Sequence, residues 1–179
     1  MVRSSYGQGN TMEPISDAEI RRSFINCGKG EANRVKLPAD FAETPWADLD
    51  FFGWIDPSAP LRAGVAVPGP DGPRTLLLRR ADRSGASGSA SRSSMCQVCL
   101  TSHASGGVSL FTAARAGAAG RKGNSLGEYL CSDLACSLYL RGKRQPRMRL
   151  VKYEETLSLD ERIERAMTKL DGFVRRVAS

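Results

Sequence analysis

Four of the five cysteines form two closely spaced pairs, and metal binding is the chemistry that this spacing could perform. The pairs are Cys96-x2-Cys99 and Cys131-x4-Cys136, with 31 residues between them. A Cys-x2-Cys turn places two thiolates along one edge of a tetrahedron, which is the geometry that Zn²⁺ prefers. Two such pairs in a reducing compartment predict one zinc ion bound by Cys96, Cys99, Cys131 and Cys136.

Two other residues could take part in such a site. His103 is the one histidine of the chain and follows the first pair, so it is an alternative ligand, although four cysteines already complete the shell. Its simpler interpretation is an exposed or hydrogen-bonded histidine beside the Cys-x2-Cys turn. Cys27 has no other ligand type beside it, and we expect it to be a small buried residue rather than a ligand or a nucleophile.

The predicted zinc is structural rather than catalytic. A shell of four thiolates leaves no open position for water or substrate. The sequence also lacks a phosphate-binding loop, a Gly-x-Ser-x-Gly nucleophile elbow and the His-x-Glu signature of zinc deaminases. We therefore expect that the protein is not an enzyme.

Basic residues are concentrated on the same part of the chain. Nine consecutive positions contain no acidic residue and five basic ones, which are Arg141, Lys143, Arg144, Arg147 and Arg149. Such a cluster suits RNA or a ribonucleoprotein surface. The alternative is a solvated basic face without a partner.

A second basic group precedes the third cysteine. Arg121 and Lys122 lie between the two cysteine pairs and are followed by Tyr129. We expect the zinc site to hold these residues close to Arg141, Lys143 and Arg144 as one partner-binding patch, with Tyr129 as its best anchor. The alternative is that Tyr129 is a strand residue that only packs beside Cys131.

The elements around the cysteines follow a recognisable order. Val108–Thr112 and Glu128–Cys131 are predicted to be an antiparallel pair of strands joined by a Gly/Ala/basic loop. Ser132 is predicted to cap a helix that starts at Asp133 and carries Cys136 on its first turn. A knuckle, a hairpin and a helix that supplies the last ligand make up a treble-clef arrangement.

The part of the chain before the cysteines is predicted to be a small β portion. After a loose tail over residues 1–15, a capping box of Ser16 and Glu19 begins a short helix that reaches about Ile25. Strands follow at Phe51–Ile55, Arg62–Val67 and Arg74–Arg80, of which the last two form a hairpin around a Pro/Gly turn.

A second division is set by composition. Residues 84–94 contain only Ser, Gly, Ala and one Arg, so they are predicted to be a flexible loop between portions 16–83 and 95–179. Each portion is too small for a comfortable core alone, so the loop is no true domain boundary. In the second portion, apolar residues recur every three or four positions after a capping box at Ser158 and Glu161, which predicts an amphipathic helix. This helix packs on the domain or, alternatively, binds a partner.

Length, charge and hydropathy limit the class of protein and its location in the cell. The chain has 179 residues, 26 Lys plus Arg and 19 Asp plus Glu, for a formal charge of +7. No apolar run approaches the roughly 20 residues of a membrane span, and the N-terminus has no apolar core typical of a secretory signal. These features predict a cytoplasmic protein that is monomeric and not bound to a membrane. The predicted fold is α+β: a small antiparallel β portion joined to a four-cysteine treble-clef zinc finger, with a C-terminal amphipathic helix.

Several segments resemble one known family. They are SFINCGKGEANRVKLP, PWADLDFFGWIDP, MCQVCLTSH, GGVSLF, GRKGNSLGEYLCSDLACSLYLRGKRQP and EETLS. Over roughly residues 16–175 the chain resembles the elongation factor G-binding protein family, whose members carry the FBP treble-clef zinc finger and include fusidic-acid-resistance proteins. The second cysteine block is the most specific part of this resemblance.

The resemblance implies a function in translation. In that family the zinc domain binds elongation factor G, and the resistance members free this factor from drug-trapped ribosomes without hydrolysing anything. The family's zinc ligands fall on Cys96, Cys99, Cys131 and Cys136, and its contact region resembles Arg121–Tyr129 and the helix after the fourth ligand. The resistance members also carry an N-terminal helical bundle, whereas here one short helix precedes the β portion. The alternative function is direct binding to ribosomal RNA or the ribosome.

Overall fold

A computed structural model describes residues 11–82, 94–104, 106–146 and 155–179. Two 3₁₀ turns, Phe41–Glu43 and Trp46–Asp48, precede the first strand. The helices and strands, in chain order, are α1 (Asp17–Arg22), α2 (Lys29–Ala32), β1 (Phe52–Ile55), β2 (Arg62–Val67), β3 (Arg74–Arg80), β4 (Ser94–Met95), β5 (Ser102–His103), β6 (Val108–Ala114), α3 (Gly117–Arg121), β7 (Ser125–Cys131), α4 (Cys136–Leu140) and α5 (Leu159–Ala178). None of the helices in these ranges is both long and apolar enough to span a membrane.

Five strands form one antiparallel sheet in the order β1-β2-β3-β6-β7. The predicted hairpins of β2 with β3 and of β6 with β7 are confirmed, and β2 and β3 have the predicted bounds. Strand β3 pairs with β6 through Arg79 with Thr112 and Arg80 with Phe111. Because this pairing joins the portions on either side of residues 84–94, the two portions share one sheet. Residues 84–93 themselves lie outside the described ranges.

Helix α5 covers one face of the sheet. Its predicted capping box is confirmed, since Ser158 Oγ accepts from the Glu161 N–H and the Glu161 carboxylate accepts from the Ser158 N–H. Its apolar stripe is buried in the main core: Ala166, Met167, Leu170, Phe173, Val174 and Val177. The alternative that this stripe binds a partner is therefore wrong, because the domain itself occupies it.

The N-terminal segment lies beside the sheet as well. The predicted capping box of Ser16 and Glu19 is confirmed, but α1 ends at Arg22 rather than near Ile25. The chain leaves the helix because it pairs with β3: Phe24 bridges Thr75, and the Asn26 side chain exchanges two hydrogen bonds with the Leu77 backbone at 2.8 and 2.9 Å.

The end of the predicted tail is part of the folded domain. Residues 1–10 lie outside the described ranges, but Met12 is buried and its N–H donates to the Leu49 carbonyl at 2.6 Å. Met12 belongs to a second core cluster on the other face of the sheet, together with Phe52 and Trp54. The aromatic-rich segment therefore forms core, as its composition predicts.

Gly64 lies directly against the Trp54 ring in this second cluster, and this contact can be tested through its effect on stability. A Cβ added at Gly64 would lie 2.2 Å from the Trp54 ring, which is fixed by a hydrogen bond to the Lys36 carbonyl. We expect Gly64→Ala to lower the free energy of unfolding by about 1–3 kcal/mol, measured by urea denaturation. Gly30→Ala is the control, because Gly30 lies in a helix and an added Cβ would meet only the Arg34 side chain, at an ordinary contact distance of 3.9 Å. This change should raise stability by roughly 0.5–1 kcal/mol. Equal stability of wild type and Gly64→Ala would contradict this packing.

Candidate metal centre and partner surface

The four paired cysteines converge on one point at the end of the sheet. Cys96 and Cys99 lie in the turn between β4 and β5, Cys131 is the last residue of β7, and Cys136 is the first residue of α4. All four are buried, and their Sγ atoms lie within 4.8 Å of one another. The sequence prediction of one four-cysteine cluster is confirmed.

The spacing of the sulfur atoms fits a zinc ion. The Sγ atoms of Cys96 and Cys136 are 3.7 Å apart, and those of Cys99 and Cys131 are 3.4 Å apart. A tetrahedral ion with Zn–S bonds of about 2.3 Å has edges of roughly 3.8 Å between its sulfur atoms. None of these cysteines forms a disulfide. The donor set and the dimensions are therefore those of a closed structural zinc site.

Four thiolates packed this closely repel one another unless a cation neutralises their charge. Hydrogen bonds with the Cys131 and Cys96 thiols, together with burial, raise the pKa of Cys136 well above its ordinary value. A divalent ion removes this penalty because it stabilises the deprotonated sulfur of each ligand. Zinc would here act as a structural cross-link between the knuckle, the sheet and α4.

The backbone of the knuckle is shaped around the first two ligands. The Cys96 N–H donates to the Thr101 carbonyl and the Cys99 N–H points at Cys96 Sγ, at 3.0 and 3.5 Å. Leu100 has a positive φ of 57°. These contacts form a tight turn that holds two thiolates on one side, as the Cys-x2-Cys spacing predicts.

The helix that carries the fourth ligand begins later than predicted. It starts at Cys136, and Ser132 does not cap it, because the Ser132 hydroxyl donates to the Gly106 carbonyl at 2.7 Å. Asp133 instead accepts from the Ala135 N–H, and Leu134 takes a positive φ of 57°. Residues 132–135 form this turn between β7 and α4, so the helix begins only at Cys136. Cys136 nevertheless lies on the first turn of the helix, as expected.

His103 lies beside the cluster but is not one of its four members. It is buried, its Nε2 is 3.3 Å from Cys131 Sγ, and its ring meets the Tyr139 ring edge-on at 4.8 Å between centroids. Burial lowers the pKa of His103, with the Asp133 and Cys96 charges opposing it. A neutral imidazole with its N–H toward the sulfur would donate a hydrogen bond to the ligand.

Cys27 lies apart from the metal centre, as predicted. It is partly rather than fully buried, and it is not among the clustered cysteines. Partial burial, and then the nearby Glu31 carboxylate, raise the pKa of Cys27 to about 11. A thiol with so high a pKa is a poor nucleophile at neutral pH.

The structure separates the residues that were expected to form one patch. Arg121 and Lys122 lie at the tip of the β6–β7 hairpin, just before Ser125 begins β7. Cys131 ends that strand six residue steps later, a distance of about 20 Å. The hairpin tip is therefore remote from the zinc site, because β6 and β7 extend away from the cysteines along their whole length.

Arg141, which the sequence predicts to bind a partner, is only partly exposed because its guanidinium is held in an ion pair. Its guanidinium forms a two-pronged ion pair with Asp50, in which Nη2 and Oδ1 are 2.9 Å apart, and its side chain is 12% exposed. The Asp50 N–H also donates to Ser137 Oγ at 3.0 Å. The Asp50 pair ties α4 to the chain segment before β1, a link that nothing in the local sequence indicates.

The other predicted contact residues are exposed. Tyr129 is 49% exposed on β7, so it is a strand residue whose ring reaches solvent rather than core. Its backbone N–H and carbonyl both bond to Gln97 of the knuckle, at 2.9 and 2.8 Å. Lys143 pairs with Asp48 at 3.6 Å and Arg144 with Asp133 at 3.0 Å. Arg147 and Arg149 lie outside the described residues.

Fold and site together define a treble-clef zinc domain: a knuckle, a hairpin and a helix that present four thiolates to one ion. A family model described as the FBP C-terminal treble-clef zinc-finger matches residues 19–177. The chain belongs to this family, as the sequence resemblance implies.

One solved structure shares the fold. It is titled "Structure of the fusidic acid resistance protein FusC", is 16% identical, and aligns with a TM-score of 0.52 over 72% of this chain. The alignment spans 53% of that chain, so the present chain covers about half the length of this structural neighbour. A search of curated proteins finds no match.

Metal analysis tests the assignment of the ligands. We expect one Zn²⁺ per chain in the wild type and loss of that zinc, with a lower melting temperature, in Cys131→Ser. Cys27→Ala is the matched control and should keep its zinc and lose no more than about 1–2 kcal/mol of stability. Cys27 should also react slowly with iodoacetamide at pH 7.5. Unchanged zinc content in Cys131→Ser would refute the four-cysteine site.

The Arg141–Asp50 pair gives a separate stability prediction. Arg141→Met leaves a buried carboxylate without its partner and should cost about 2–4 kcal/mol of unfolding free energy. Arg144→Met removes a solvent-exposed pair and should cost less than about 1 kcal/mol. Chemical denaturation of both zinc-loaded variants measures the difference. Equal costs would show that the Asp50 pair is no more than a surface contact.

Proposed function

We propose that this protein is a non-enzymatic, zinc-stabilised adaptor in the cytoplasm that binds translation elongation factor G and promotes its release from the ribosome. The observation that carries the proposal is the family match over residues 19–177, because the resemblance to elongation factor G-binding proteins implies this partner. The likeness to a fusidic acid resistance protein supports the same direction. A closed shell of four thiolates supports a structural rather than a catalytic metal.

The proposed contact surface is the outer face of the β6–β7 hairpin around Tyr129. An exposed aromatic ring on a strand offers a large contact area and loses little side-chain freedom on binding. Gln97 fixes the Tyr129 backbone from the knuckle side, so the zinc site and the ring form one rigid unit. Leu110 lies directly across the strand pair and extends the apolar part of this surface.

Arg121 and Lys122 extend the proposed surface at the hairpin tip. Both side chains are exposed, and neither takes part in an ion pair among the described residues. Cations at the other end of the same hairpin as an apolar patch suit an acidic and partly apolar protein face. Lys143 and Arg144 are exposed but already paired with Asp48 and Asp133, so we give them a secondary role. Nothing in the proposal requires more than a monomer.

The alternative is direct binding to ribosomal RNA. Its support is the net charge of +7 and the exposed cations of the zinc-bearing half. Salt dependence separates the two functions, since affinity for phosphates falls steeply with added salt and a mixed polar and apolar protein contact falls less. A pull-down from cytoplasmic extract with and without ribonuclease makes the same distinction.

A binding titration against purified elongation factor G tests the surface. We expect Tyr129→Ala to lose about 2 kcal/mol of binding free energy, and Lys122→Ala to lose less but with a weaker salt dependence. Isothermal calorimetry at two salt concentrations measures both effects. Each variant is first shown to keep its zinc and its fold.

Matched controls come from the opposite half of the chain. Leu61→Ala removes a comparably exposed apolar side chain, and Lys29→Ala removes an exposed cation on α2, so neither should change affinity. Unchanged affinity in Tyr129→Ala and Lys122→Ala would place the interface elsewhere. Absence of binding by the wild type, with steeply salt-dependent binding to ribosomal RNA, would favour the alternative.

A further inference from the structure

A cavity of about 490 Å³ shares no lining residue with the four-cysteine cluster or with the Tyr129 surface. Its walls are the segment 11–15, the turn 68–73 between β2 and β3, and the N-terminal part of α5 from Leu159 to Met167. Its floor is the Asp50–Arg141 ion pair. The volume falls within the range of pockets that hold small organic ligands.

The walls of the cavity are largely apolar. Ile15, Ile163 and Met167 contribute aliphatic surface from two sides, and three prolines of the turn face them from the third. Proline fixes its own backbone angle, and Gly72 holds the turn with a positive φ of 117°. A turn of this composition has little backbone freedom, so it forms one well-defined wall of an apolar site.

The mouth of the cavity carries negative charge. Glu13, Asp160 and Glu164 line it with exposed side chains, and none of the three forms an ion pair with any residue in the described ranges. Asp50 and Arg141 neutralise each other on the floor. The nearby Arg74 is paired with Asp171. Three carboxylates without an ion pair among the described residues thus line an apolar hollow, and the charge of Asp160 also acts on Arg141. The chain that carries them has a net charge of +7.

This combination selects one chemical class of ligand. We propose that the cavity binds a small amphiphilic organic cation, with its apolar body against Ile163 and Met167 and its charged head among Glu13, Asp160 and Glu164. Burial of the apolar body supplies affinity, and the carboxylates exclude anions of the same size. The site is independent of the proposed binding of elongation factor G, because it shares no residue with the Tyr129 surface.

Nuclear magnetic resonance titration of the zinc-loaded full chain tests the proposal. The probes are octyltrimethylammonium and octanesulfonate, which share an eight-carbon chain and differ in the sign of the head, both kept below their micellar concentrations. We expect octyltrimethylammonium to shift amide signals of residues 11–15, 68–73 and 159–167. Octanesulfonate should bind at least tenfold more weakly.

Two variants separate the charge from the cavity. The combined change Glu13→Gln, Asp160→Asn and Glu164→Gln should weaken cation binding at least fivefold, whereas the matched set Glu31→Gln, Asp40→Asn and Glu43→Gln should change it less than twofold. Ile163→Trp places a large ring in part of the cavity and should weaken binding at least tenfold, with its fold confirmed by circular dichroism and zinc content.

Three results would overturn the proposal. The first is no shift with octyltrimethylammonium, and the second is a shift confined to other residues. The third is that the wild type binds octanesulfonate as tightly as octyltrimethylammonium, or that the charge-neutralised variant binds octyltrimethylammonium as tightly as the wild type. Either result would mean that the carboxylates do not select the charge of the ligand. Each is independent of whether elongation factor G binds.

Discussion

The structure depends on bringing four cysteine sulfur atoms within 4.8 Å of one another in a buried position. Four deprotonated sulfur atoms at this spacing repel one another unless a cation lies between them. The ligands come from the knuckle, the end of β7 and the start of α4, so one ion connects three separate elements. The cysteines also belong to the main apolar core with α5 and the sheet, which makes the metal part of the core rather than an addition to it.

The same constraint determines what the surface can offer. Gln97 extends from the knuckle to the Tyr129 backbone, so the exposed ring is positioned by residues that the metal holds. On the other side of the cluster, α4 is anchored by the Arg141–Asp50 pair and by the Ser137 hydroxyl. The zinc site is thus fixed between the N-terminal portion and the hairpin. Of the basic residues predicted to bind a partner, those near α4 form ion pairs, whereas Arg121 and Lys122 at the hairpin tip form none among the described residues.

Local patterns predicted much of this arrangement from the sequence. The cysteine spacing identified all four clustered residues, both capping boxes marked helix starts correctly, and the Pro/Gly turn placed β2 and β3 at their observed bounds. These features depend on residues that are close in the chain. The start of α4 was predicted too early because the turn at Asp133 and Leu134 has no distinctive composition.

Long-range contacts were beyond such reasoning. Arg141 looks like any other member of a basic run, and its partner Asp50 lies 91 residues away. The pairing of β3 with β6 crosses the Ser/Gly segment, and the early exit of the chain from α1 depends on a bridge from Phe24 to Thr75. Tyr129 was correctly considered as a strand residue, but only the fold shows that its ring faces solvent.

Hydrogen exchange followed by mass spectrometry, with and without removal of zinc by a chelator, tests most directly whether the metal organises this domain. If it does, chelation will remove protection from the knuckle at 94–104, from β7 and from α4, including the peptide that contains Tyr129. Re-addition of Zn²⁺ will restore the protection. Equal protection of these segments in the zinc-loaded and zinc-free protein would contradict the central role of the metal.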